Sequence, residues 1–175
     1  EVRSMAEYKF VDHWTIRAPI DQVYRTIADP RTYPQWWRDY DRITILKDVP
    51  FPYVGGRAEL LVKSPFGYRL RLEVETVAAE PPTYLSTRSY GQLEGTGVWE
   101  FREEDGATHV TWTWIVRSNH PLLNRLEFVL KPLFGFSHVL VSGRGHRGLK
   151  RLLEPTAEGG RQTTGHRARR EGARG

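Results

Sequence analysis

The chain contains no cysteine. Disulfide scaffolds, thiolate zinc sites, iron–sulfur clusters and cysteine nucleophiles are excluded at once. Its six histidines include no His-x-x-x-His or His-Glu-x-x-His spacing, so no metal is expected. There is no P-loop. The nucleophile elbow Gly-x-Ser-x-Gly is missing too, because Leu140 stands where the first glycine before Ser142 would be. No run of 18 apolar residues exists, so no segment is expected to span a membrane. The most apolar stretch, 121–141, is interrupted by Asn124, Arg125, Glu127, Lys131 and His138. Residues 1–16 alternate and carry charges, unlike a signal peptide. The single methionine, Met5, reads as the natural start. These features suit a cytoplasmic protein without cofactors.

The 175 residues fit one domain. Aromatic residues are abundant, with 6 Trp, 8 Tyr and 7 Phe, and the composition is that of a globular protein. The net charge is +5, but five arginines and two glutamates in 155–175 supply +3 of it. That segment has no large apolar residue and reads as a disordered basic tail. The domain itself is nearly balanced, so no specific nucleic-acid partner is expected; a weak, salt-sensitive contact of the tail with nucleic acid or an anionic membrane is the minority reading.

Periodicity divides the rest. Tyr8–Ile16 reads as a strand with Phe10, Asp12, Trp14 and Ile16 on one face. Ile20–Ala28 and Arg31–Arg38 read as two short helices, the first ended by Asp29-Pro30. Six further strands are expected over Arg42–Val49, Arg57–Ser64, Tyr68–Val77, Tyr84–Leu93, Gly97–Arg102 and Thr108–Arg117. The inward face of Tyr84–Leu93 is ambiguous. The period then becomes helical: Leu122–Phe134 and Phe136–Leu153 read as two segments, with Pro132 a kink. The hairpins imply an antiparallel sheet, and only the last helix is long enough to cover it.

Three strings carry a resemblance to a known family: Trp14-Thr-Ile-Arg-Ala-Pro-Ile-Asp-Gln-Val-Tyr24, Ile27-Ala-Asp-Pro30 and Tyr33-Pro-Gln-Trp-Trp37. Gly95-Thr-Gly-Val-Trp99, Thr108-His-Val-Thr-Trp-Thr-Trp114 and Gly148-Leu-Lys-Arg-Leu-Leu153 extend it. Together, over about residues 8–154, these resemble the START-like (Bet v 1-like) superfamily, and within it the bacterial polyketide cyclase/dehydrase-like branch. The resemblance implies an α+β helix-grip fold. In it a seven-stranded curved antiparallel sheet wraps around a long C-terminal helix, with two short helices after the first strand. It further implies an apolar cavity and a small hydrophobic ligand, without fixing one chemistry. The expected organisation is a flexible 1–5, a helix-grip domain over 6–154 and the tail over 155–175.

Candidate site residues follow. Trp14, Trp99, Trp112 and Trp114, with Tyr68 and Leu72, lie on faces assigned inward, where they either wall a cavity or fill the core. Tyr33 and Trp36 lie where the resemblance places a cavity rim, and there they either form a rim that opens or clamp the helix to the sheet. His138, Ser142 and His146 fall at four-residue spacing on one helix face, where they would orient a ligand or lie at a wet helix edge. His138 also suits general acid–base work. Asp12, on an apolar face, either has a raised pKa and a proton-transfer role or sits wet at a twisted strand end. Gly143-Arg-Gly-His-Arg-Gly148 matches G-x-G-x-x-G, but no βαβ unit or later acidic residue accompanies it. Its glycines read instead as small residues that let a helix lie close to its neighbours.

The expected function is binding of a small apolar or aromatic molecule (lipid, polyketide or isoprenoid type) as carrier or sensor. The alternatives are a cyclase or dehydratase using His138 and Asp12, and a membrane-lipid or quinone chaperone docking through Leu122–Phe134 and the tail. Monomer and homodimer are both open, since an uncovered edge strand can pair between chains.

Overall fold

The computed structural model describes residues 7–118 and 127–156, so the expectations for 1–5, 119–126 and 157–175 lie outside the described residues. Seven strands form one antiparallel sheet: β1 (Glu7–Ile16), β2 (Tyr40–Lys47), β3 (Arg57–Lys63), β4 (Arg69–Glu80), β5 (Tyr84–Gly91), β6 (Leu93–Glu104) and β7 (Ala107–Ser118). Their order is β1-β7-β6-β5-β4-β3-β2. From β2 to β7 each strand therefore pairs with the next in sequence. The one long crossing, from β1 to β2, holds α1 (Ile20–Ala28), a 3₁₀ turn (Pro30–Thr32) and α2 (Tyr33–Trp36). The long helix α3 (Glu127–Leu153) lies on the inner face, tied to both β1 and α2. This is the helix-grip fold.

Alternation explains the inner face. Tyr8, Trp14 and Ile16 of β1 and Val110, Trp112 and Val116 of β7 are buried, while the residues between them are more exposed. The β1–β7 pairing sets Asp12 opposite Trp112 and Trp14 opposite Val110. α1 buries Val23, Tyr24 and Ile27 completely. The Tyr24 hydroxyl donates to the Tyr84 carbonyl at 2.9 Å, which anchors the helix to β5.

The docking of α3 depends on glycine. A Cβ on Gly148 would stand 1.6 Å from the Trp36 carbonyl oxygen, and one on Gly145 would stand 2.4 Å from the Trp37 ring. These two absences bring the helix backbone against α2. The G-x-G-x-x-G string is thus a helix surface, with its third glycine on the Trp36 backbone and its second on the Trp37 indole.

Three sequence expectations change. The helical region is not broken near Pro132 or Gly135: α3 runs through both. Proline removes one backbone donor, but the surrounding turns keep theirs. Tyr84–Leu93 and Gly97–Arg102 are not the strand limits either. β5 ends at Gly91, whose φ of +102° makes the corner, and β6 already begins at Leu93. The side-chain-free Gly95 and Gly97 hid that part of β6 from alternation. Finally, Tyr68 precedes β4 in the turn where Ser64 N–H donates to its carbonyl at 2.8 Å; it is 38% exposed.

Candidate functional site

A cavity of about 110 Å³ opens between the sheet and α3. It exists because bulk and its absence alternate on the sheet. Trp99 and Trp112 stack in parallel, centroids 4.6 Å apart and 3° between planes, and Trp114 continues the wall 5.9 Å from Trp112. Beside them β5 and β6 offer only Thr87, Ser89 and Gly97. A Cβ on Gly97 would meet Thr87 Oγ1 at 2.8 Å and Trp112 Nε1 at 3.5 Å. Leu72 and Val62 line the opposite side, and Ser137, His138 and Val141 line it from α3.

The α2 segment closes one end with Tyr33, Trp37 and Tyr40. Burial, reinforced by Tyr40 and Asp29, pushes the Tyr33 phenol far above its ordinary range; burial and Asp39 do the same at Tyr40. Both stay protonated. Tyr33 donates to the Ile27 carbonyl at 2.7 Å, which fixes its ring. Trp37 donates from Nε1 to the Val141 carbonyl at 2.8 Å. The Arg144 guanidinium holds the buried Asp39 carboxylate at 2.8 Å and so ties α3 to the α2–β2 link.

A second, smaller cavity of about 50 Å³ lies beyond. It shares Tyr33, Leu60, Val74 and Thr87 with the first. A wall one side chain thick therefore separates the two.

Asp12 is half-buried, and its pKa is lowered rather than raised. Burial pushes its carboxyl up, but the hydrogen bond and charge of His138, with the Ser142 hydroxyl, outweigh burial and hold it below the ordinary 3.8. His138 Nε2 stands 2.7 Å from Asp12 Oδ2, and Ser142 Oγ donates to Asp12 Oδ1 at 2.8 Å. Trp14 Nε1 in turn donates to Ser142 Oγ at 3.3 Å. The imidazole of His138 stacks on Phe10, centroids 4.0 Å apart, and stands 5.6 Å from Trp114.

The structure thus brings Tyr33, Leu72, Trp99, Trp112, Trp114 and His138 to the cavity. The others lie elsewhere. Trp14 and Trp36 are buried in the core behind it, with Trp36 donating to Thr32 Oγ1. Ser142 faces Asp12, and His146 stacks on Trp14 and meets the Thr15 backbone nitrogen at 3.2 Å. Tyr68 is outside. Sequence reading missed Trp37, Tyr40 and Ser89. For Trp37 a signal was present in its neighbour Trp36, since α2 is only four residues long and its C-cap turns inward. Among the described residues no cluster of His, Asp and Glu has metal-site geometry. No helix among them is long and apolar enough to cross a membrane. The residues offered for membrane docking, 122–134 and the tail, lie mostly outside the described part.

Comparison with known proteins agrees with this architecture. Residues 8–154 match the family described as "Polyketide cyclase / dehydrase and lipid transport", and the chain belongs to it. No curated protein matches. Among solved structures, the di-domain ARO/CYC BexL of the BE-7585A biosynthetic pathway superposes with a TM-score of 0.69 at 17% identity, covering 86% of this chain and 51% of that one. This chain thus spans about half of the di-domain protein. A Thermus thermophilus protein, TTHA0849, gives 0.67 at 18% identity, covering 82% and 95%. Major latex-like protein 151 from Panax ginseng gives 0.66 at 13%, covering 85% and 99%. At these identities the likeness is one of fold.

Proposed function

We propose that this protein binds a small hydrophobic or aromatic molecule in the tryptophan-walled cavity, as a carrier or sensor. The observation that carries the reading is the parallel Trp99–Trp112 stack with the small residues Thr87, Ser89 and Gly97 beside it on the sheet. Beside these rings the sheet leaves about 110 Å³ unfilled. An engineered apolar cavity of about 150 Å³ admits benzene. At about 110 Å³ this cavity is smaller, so it holds at most one small ring or a short chain, and a larger molecule enters only if α2 or α3 moves. Polar groups are few, as in small-molecule sites generally.

The test is mass spectrometry of gently purified protein under native and denaturing conditions, followed by extraction. A stoichiometric apolar molecule, or uptake of an environment-sensitive apolar dye by empty protein, is expected. A protein that neither carries a ligand nor takes up dye overturns the reading.

A second reading rests on the 2.7 Å contact between His138 and Asp12 at the cavity wall. In a cyclase or dehydratase of this kind the His138 imidazole takes a proton next to a carbonyl through Nδ1 and returns it to the departing hydroxyl, which leaves as water. The Asp12 carboxylate at Nε2 stabilises the imidazolium formed in between. His138→Ala would then abolish turnover and leave ligand affinity nearly intact. Equal loss of both removes the catalytic role.

A further inference from the structure

Among the described residues, Ser89 is the cavity serine whose buried hydroxyl finds no hydrogen-bond partner. It is 6% exposed, lines the cavity, and its buried Oγ has no hydrogen-bond partner among the described residues. Its cross-strand neighbours are Val74 and Gly95, which bring no side-chain acceptor. The next hydroxyl on the strand, Thr87 Oγ1, donates to the Gly97 carbonyl at 3.2 Å. A buried hydroxyl without a partner loses its hydration and regains nothing, at a cost comparable to a lost hydrogen bond. A binding site removes that cost when the ligand supplies the partner.

The floor also specifies what kind of partner. Trp112 Nε1 lies 3.5 Å from the point where a Cβ on Gly97 would be, and an indole N–H donates only. Ser89 O–H donates as well. A serine hydroxyl can donate or accept, so an acceptor oxygen is the one partner that both groups can meet. A carboxylate fits badly, because the cavity has little free positive charge to meet it. Lys63, at the rim, is 48% exposed and held by Asp41 at 2.8 Å, and His138 turns Nε2 to Asp12. An anion buried without a cation is strongly disfavoured.

Resting on the binding reading above, we infer that the cavity recognises an uncharged aromatic carbonyl compound, its ring against Trp99, Trp112 and Trp114 and its oxygen accepting from the Ser89 hydroxyl. The carbonyl replaces whatever water occupies the floor in the empty protein. Ser89 is the specificity residue; the tryptophans supply affinity to any flat apolar ring.

Two planar probes of matched shape separate these roles: acetophenone, and α-methylstyrene, in which the carbonyl oxygen is replaced by a methylene. Titration calorimetry on the full chain gives Kd for both, in wild type and Ser89→Ala. Comparing the ketone-to-alkene ratio between the two proteins cancels the different solubilities of the probes. Ser89→Ala is expected to lower the ketone preference about tenfold, or about 1.4 kcal/mol, by weakening the ketone and no longer penalising the alkene that leaves the hydroxyl without a partner. An unchanged ratio overturns the inference, because Ser89 then bonds only water. Failure of both probes to bind wild type overturns the binding reading itself and the inference with it. Melting of the empty proteins gives an independent check. Ser89→Ala removes an unpartnered polar group and is expected to melt at the same temperature or higher. A fall of several degrees means that Ser89 has a partner within the protein, and also overturns the inference.

Discussion

His138 Nε2 and Asp12 Oδ2 stand 2.7 Å apart, joining the middle of α3 to the first strand across 126 residues of sequence. The contact has a pH signature. Asp12 has a folded-state pKa below its ordinary 3.8. A carboxyl with a depressed pKa stabilises the fold at pH above the unfolded value, and that contribution is lost as pH falls through the folded value. Wild type is therefore expected to lose stability below about pH 4, partly through Asp12. Asp12→Asn removes that part of the acid limb and costs about 1 kcal/mol at neutral pH by weakening a half-buried hydrogen-bond network. Urea unfolding of both proteins across pH tests this; parallel acid limbs would exclude Asp12 as a contributor.

The glycines of α3 divide by position. Helix propensity alone makes every Gly→Ala change favourable by about 1 kcal/mol. That gain is expected at Gly143, where a Cβ would meet only the end of Arg147 at 3.5 Å. At Gly148 the sign reverses, because the Cβ would lie 1.6 Å from the Trp36 carbonyl. Gly148→Ala is expected to cost about 3 kcal/mol by forcing α3 off α2. Thermal melting of the two single variants decides it, and a stabilising Gly148→Ala would contradict the docking described.

Arg144→Ala removes the cation that meets the buried carboxylate of Asp39 at 2.8 Å. Leaving a buried charge unpaired costs several kcal/mol, about 3 at a fully enclosed pair. Arg144 keeps some contact with solvent, so about 2 kcal/mol is expected. The double change Arg144→Ala with Asp39→Asn should recover most of it. A double variant no better than the single one would show that the pair is not the source of the loss.

Val62→Phe places a ring in the cavity from β3. Overpacking normally costs about 1–3 kcal/mol, but here the neighbouring space accepts part of the new bulk, so a cost near the lower end is expected. Dye or ligand uptake should fall at least tenfold while the near-ultraviolet circular dichroism keeps its folded shape. Unchanged uptake would mean that the dye binds elsewhere.

Much of this architecture was readable from the amino-acid order because an antiparallel sheet on a helix leaves a two-residue period. The run Val110, Trp112, Trp114, Val116 marks β7 unmistakably, and its Trp112 and Trp114, with Trp99 of the neighbouring strand, wall the cavity. The failures have equally local causes. Tyr68 keeps the parity of β4 but lies one residue beyond its end. Pro132 and Gly135 are helix breakers by propensity, yet α3 carries both. Asp12 was visibly out of place among apolar neighbours, but its partner is 126 residues away and only the fold brings the two together. Ser89 gave no signal, since a serine in a strand is ordinary until its surroundings are known to lack acceptors.

The shared wall of Tyr33, Leu60, Val74 and Thr87 between the two cavities makes ligand size a stepwise property. A molecule that fits the first chamber meets a stop, because the Tyr33 ring is fixed by its bond to the Ile27 carbonyl. One slightly too long gains nothing by pressing on that wall, whereas one long enough to displace a side chain reaches new apolar surface at once. Among homologous compounds of increasing length, affinity should therefore rise, fall and rise again. Trimming Leu60 or Val74 to alanine would merge the two rises into one, turning a selective vessel into a tolerant one.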